Sequence, residues 1–130
     1  MPIPDITILY AGILGVMAVG LGATAGTYRA KNGISIGDGG DPQLTLRMRR
    51  HANFVENVPL ALVLFALLEM QGVTHYAIHG LGIALVVGRM MHWIGFGESV
   101  NNPVRGIGAG LTVLSIAVAS IWGIITFLQF

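Results

Sequence analysis

A chain of 130 residues that is 54% hydrophobic and only 10% charged departs from a soluble domain, where about a quarter of residues are charged. With a mean hydropathy of +0.75 it reads as an integral membrane protein of one domain, and having no cysteine it lacks a disulfide framework, a thiolate metal site and a cysteine nucleophile. The formal net charge is +1, but all seven basic residues (Arg29, Lys31, Arg47, Arg49, Arg50, Arg89 and Arg105) gather near two junctions of the chain, leaving no soluble basic face for nucleic acid.

The first apolar run extends from about Ile6 to Tyr28, roughly 35 Å as a helix and enough to cross a bilayer core. Ala23-Thr24-Ala25 resembles a signal-peptidase site, but the segment before it carries Asp5 and no basic start and is too long for a signal sequence, so it reads as a retained span. Its Gly22-x-x-x-Gly26 suits close helix packing. Lys31 to Asp41 is the long polar loop. Its Gly37-Asp38-Gly39-Gly40-Asp41 lacks the Lys-Ser/Thr of a phosphate loop and the alternating acids of a calcium loop, and reads as a linker. Asp41-Pro42 supplies a helix cap and a first-turn proline.

The second helix is expected from Pro42 to about Gln71, with its membrane part near 54–71. At about 45 Å it exceeds the membrane thickness, so its first turns project into the interface. Pro59 should bend it. Leu46, Arg49, Asn53, Glu56 and Leu60 recur at steps of three and four and share one face. Cation, amide and carboxylate groups are costly inside a membrane, and mark a functional site there.

The third span, about 75–96, carries Arg89 and His92 on one face, and Asn102-Pro103 opens a fourth at about 104–127 headed by Gly106-x-Gly108-x-Gly110. The sum over residues 1–130 is an all-α, integral membrane bundle of four transmembrane helices. The positive-inside rule puts the basic junctions in the cytoplasm and both termini on the other side.

Arg89 and Glu56 lie at similar depth from the basic side, about 12 Å and about 8 Å along their helices, and are expected to pair. Arg105 falls in the first turn of the fourth helix, where the macrodipole is positive. An anion held between that helix end and Arg105 gains from both, and a thiolate is one such anion. Arg47 and Arg50 read as interfacial anchors. His51 and His92 have no third ligand at helical spacing, so hydrogen bonding is favoured over a metal. His75 and His79, with Glu69 and Gln71, are the polar groups of the outer half, too few for a transport path. Ser99, Ser115 and Ser120 have no evident base.

Arg49-x-x-x-Asn53-x-x-Glu56-x-x-Pro59, Arg89-x-x-His92 and Pro103-x-Arg105 together resemble the MAPEG family, the membrane-associated proteins of eicosanoid and glutathione metabolism, over essentially the whole chain. Arg50-His-Ala-Asn-Phe-x-Glu-Asn-x-Pro59 is similar to the bacterial inner-membrane branch. The resemblance implies a homotrimer in the inner membrane that binds glutathione as co-substrate between subunits and takes a lipophilic substrate from the bilayer lipids. It implies that Arg49, Asn53, Glu56 and Arg89 hold the tripeptide, with His92 beside Arg89 and Arg29 matching a further site arginine more loosely. Arg105 would be catalytic, stabilising the glutathione thiolate. Two departures bear on catalysis. Phe96 stands where eicosanoid-type members often have tyrosine, and Gly106 where some members have serine. The expected activity is a glutathione-dependent transferase or peroxidase-like reaction. The alternative is a non-catalytic protein binding a lipid head group or other small anion with the same polar belt.

Overall fold

Three of the four helices begin or end on local signals already visible in the chain. In the computed structural model, which describes residues 2–95 and 102–130, these helices are α1 (Asp5–Asn32), α2 (Pro42–Met70), α3 (His75–Gly95) and α4 (Pro103–Leu128). Each is long and apolar enough to cross a membrane. Asp41 Oδ1 accepts from the Gln43 and Leu44 amides at 2.9 and 3.4 Å, capping α2 with Pro42 in its first turn. Asn102 Oδ1 accepts from the Val104 amide at 2.9 Å and does the same for α4. Gly33, at φ +66°, ends α1 in the left-handed conformation that glycine adopts without strain. α2 continues through Pro59 as one helix. Phe96 and Ser99 lie outside the described residues.

The glycine-rich loop is tied down by its own acids. Asp38 accepts from the Gly40 amide at 2.9 Å and the Thr45 hydroxyl at 2.7 Å. Asp41 Oδ2 accepts from the Tyr28 hydroxyl at 2.8 Å. The Thr45 hydroxyl chiefly holds the Asp38 carboxyl below its ordinary value of 3.8, and the Tyr28 hydroxyl does so for Asp41. Both groups therefore contribute stability that is complete above the ordinary value and lost as pH falls through their depressed folded values. Intrinsic-rate-corrected amide exchange at Gly40, Gln43 and Leu44 should stay constant from neutral pH down to about 4 and accelerate only below it. An acceleration beginning near pH 6 would contradict these ties.

The core repeats at steps of three and four along each helix. Leu14 and Leu21 of α1, Phe54, Val58, Ala61, Phe65 and Leu68 of α2, and Ile78, Leu81 and Leu85 of α3 form one buried cluster, to which α4 adds Ala119. α4 turns a stripe of small residues inward: Gly108, Thr112, Ser115 and Ala119. The hydroxyls of Thr112 and Ser115 donate to carbonyls of their own helix, at 3.0 and 2.7 Å, and so place no unsatisfied polar group on the seam. α3 and α4 form the most extensive contact, while α1 packs on α2 and α3 and, among the described residues, not on α4.

The α3–α4 approach depends on glycine. A Cβ on Gly108 would overlap the His92 amide nitrogen and the Gly88 carbonyl, and one on Gly95 would overlap the Arg105 backbone. Gly106 and Gly110 have open space instead, so of the three glycines heading α4 only Gly108 makes the close approach. Inside a bilayer such packing replaces hydrophobic burial as the main association force. α1 is docked differently, through polar ties at the end away from the basic cluster. Glu69 of α2 binds its first turn, and Tyr10 Oη lies 2.8 Å from His79 Nδ1 on α3. The Tyr10 ring occupies the space that a side chain at Gly82 would fill.

Candidate functional site

A guanidinium buried in an apolar helix pair must find acceptors from protein, because neither lipid nor water is there to supply them. Arg89 of α3 is 2% exposed. Its Nη1 donates to Asn53 Oδ1 of α2 at 2.9 Å, and its Nη2 lies 3.2 Å from His92 Nδ1, one turn along α3. Arginine has donors only, so Nδ1 must be the acceptor, which leaves the His92 proton on Nε2. The cation also sits 5.6 Å from the Phe54 ring centroid, within cation–π range. Its Nε is buried without a partner.

Glu56, the expected partner of Arg89, is replaced by Asn53. The guanidinium reaches toward His92 and the basic end of the bundle, where Asn53 lies. Glu56 is one turn, about 4.5 Å, further into the membrane. The Glu56 side chain is exposed, as is that of Arg49. These two residues with Ala52 and Asn53 line a pocket of about 90 Å³ on the outward face of α2. The face continues through Leu60, Val63 and Leu67, each more than half exposed. Asn53 thus joins a buried cation on one side to an open polar groove on the other.

Arg105, half-buried, stands in the first turn of α4 beside the last turn of α3, where Gly95 lets the two backbones meet. His92 lies close enough to the guanidiniums of Arg89, Arg105 and Arg50 to feel all three. Four of the expected residues (Asn53, Arg89, His92 and Arg105) therefore gather at one end of the α2–α3–α4 contact, with Arg49 and Glu56 on the adjoining α2 face.

Arg29 is placed elsewhere. Its Nη1 donates to the Gly37 carbonyl at 2.6 Å and the Ile34 carbonyl at 3.5 Å, and its Nη2 contacts Met48 Sδ at 3.3 Å. It fastens the loop, and no described hydrogen bond links it to Asn53, Arg89 or His92. Arg47 lies over the Tyr28 ring at 4.8 Å and donates to the Thr24 carbonyl at 3.2 Å, so it ties α2 to α1 rather than only anchoring in lipid. His51 turns to α1, where its Nε2 lies 3.4 Å from the position a Cβ would take on Gly22. Phe54 was missing from the sequence expectations. Its position one residue after Asn53 on the buried face is the signal that locates it under a cation.

Four helices apolar and long enough to cross a membrane, with an arginine-centred polar cluster at one end of the bundle, define a membrane-type four-helix protein. The model of the MAPEG family matches residues 7–125. The inner membrane protein YecN of Escherichia coli K12 is 34% identical over 91 residues, covering 70% of each chain, and the protein of that name from E. coli O6:H1 is similar to the same degree. This chain belongs to the MAPEG family.

Proposed function

We propose that this protein is a glutathione-dependent membrane transferase or peroxidase-like enzyme of the bacterial inner membrane, with its basic end in the cytoplasm and both termini on the opposite side. The observation that carries the reading is Arg89: a buried cation met only by neutral acceptors among the described residues, beside a groove offering Arg49 and Glu56. Glutathione presents two carboxylates, an ammonium and a thiol, so it requires cations and an anion from the protein. Arg49, Asn53, Glu56 and Arg89 supply those signs, with His92 aligning Arg89. Arg29 joins them only by surrendering its loop carbonyls. The exposed charges on α2 are costly in lipid, which favours covering that face with further copies of the chain in a homotrimer. The relative named as an inner membrane protein supports the location.

Arg105 lowers the thiol pKa in this reading. Moving it from about 8.5 toward neutrality requires about 2 kcal/mol, within reach of one desolvated arginine and a helix N-terminus. A lipophilic electrophile or hydroperoxide arriving from the bilayer then meets a thiolate already in place, and the remaining acceleration is proximity. The competing reading, a non-catalytic protein that binds a small anion, draws on Gly106, which is exposed and offers no hydroxyl.

The deciding measurement is the thiolate difference spectrum on adding glutathione to detergent-solubilised protein, with Arg105→Ala alongside. The expected result is a thiolate band in the natural protein that disappears in the variant. Glutathione bound by calorimetry without a thiolate band would favour the non-catalytic reading. An absence of both would remove glutathione from the account.

A further inference from the structure

The end of the bundle remote from the basic cluster holds a carboxylate that the proposed site does not use. Glu69, 4% exposed, is the penultimate residue of α2. Its Oε1 accepts from the Ile6 amide at 2.9 Å, and its Oε2 accepts from the Thr7 amide at 2.9 Å and the Thr7 hydroxyl at 2.7 Å. These amides belong to the first turn of α1, whose donors have no partner within their own helix. Pro4, at the cap position of α1, makes no side-chain hydrogen bond. Glu69 therefore performs across the bundle the capping that Asp41 and Asn102 perform locally for α2 and α4. Its negative charge also faces the positive end of the α1 dipole. Because 62 residues separate Glu69 from Thr7, this cap is a tether as well.

We infer that Glu69 is an acid-sensitive latch: ionised, it clamps the first turn of α1 to the end of α2, and protonated, it lets that turn go. A carboxylate accepts only, and all three groups facing it are donors. A carboxylic acid could place its own O–H only by turning the Thr7 hydroxyl from donor to acceptor, and would lose the charge-assisted bonds and the attraction to the helix end. The tie is thus complete while Glu69 is ionised and is lost as falling pH protonates it. Among the described residues, the other titratable groups at this end are Asp5 in the first turn of α1, His75 at the start of α3, close enough to act on Glu69, the exposed Tyr76 beside it, and the Tyr10–His79 pair one turn deeper. α4 carries none beyond Arg105. Release is local, because Arg47 of α2, over the Tyr28 ring and bonded to the Thr24 carbonyl, holds the far end of α1.

Amide exchange of the protein in lipid nanodiscs, corrected for intrinsic rate, tests the latch. Protection over residues 5–10 should fall roughly tenfold as falling pH protonates Glu69, the effect of losing one charge-assisted hydrogen bond. Glu69→Gln should show the low protection already at pH 7 and respond no further to acid. Thr7→Val, which removes one donor and keeps the carboxylate, should start lower than the natural protein and still respond. It also serves if Glu69→Gln does not fold. Protection independent of pH in the natural protein overturns the latch. So does an undiminished acid response in Glu69→Gln, or a Thr7→Val profile superimposable on the natural one.

Discussion

Gly108→Val should lower the melting temperature of the detergent-solubilised protein by several degrees or more. The added Cβ would meet the His92 amide nitrogen and the Gly88 carbonyl, which are backbone atoms of a regular helix and cannot swing aside. The helices must separate, and overpacking of this kind costs about 1–3 kcal/mol or more, against a total stability of about 5–15 kcal/mol. Separation would also pull Arg105, one turn before Gly108, away from His92. Gly110→Val is the control, since nothing lies within 4 Å of a Cβ there. Size-exclusion profiles and thermal melts of the two variants decide the matter. Equal melting temperatures would show that the seam does not depend on Gly108.

Arg89→Leu separates binding from stability. The substitution removes a buried cation, which by itself relieves desolvation, and replacing buried ionic groups by apolar ones is often neutral or favourable. Against this, Asn53 Oδ1 and His92 Nδ1 lose their donor, at about 1–3 kcal/mol for each acceptor left buried and unsatisfied. The opposing contributions are of similar size, so the melting temperature should move by only a few degrees. Glutathione affinity, under the proposed function, should fall by roughly 10- to 100-fold, the loss of one or two hydrogen bonds to a charged group. Arg89→Lys should fail similarly, because a single ammonium cannot span Asn53 and His92 as the guanidinium fork does. Calorimetry with glutathione alongside thermal melting reads both quantities. Unchanged affinity together with a much lower melting temperature would make Arg89 a purely structural cation.

Four apolar helices, the cap-and-proline starts at Asp41-Pro42 and Asn102-Pro103, and the shared face of Arg49, Asn53 and Glu56 were determined by the sequence alone. They were legible because they depend on spacing within one helix or on a few adjacent residues. Family membership was legible for the same reason, since its motifs are runs at helical spacing on single elements. Partner choice between helices was decided only in the tertiary structure. Depth along two helices put Glu56 opposite Arg89, but the long side chain reaches a full turn away and takes Asn53 instead. Arg29 looked like a ligand residue, yet it bonds loop carbonyls whose position depends on how the chain folds back after Gly33. Glu69 looked like one of a few scattered outer polar groups until α1 was laid beside α2, when it became the cap that α1 lacks. Helix formation is a contest among near neighbours, which a linear pattern records. A hydrogen bond between Glu69 and Thr7 joins groups 62 residues apart and leaves no periodic mark, so it exists only once the bundle has packed.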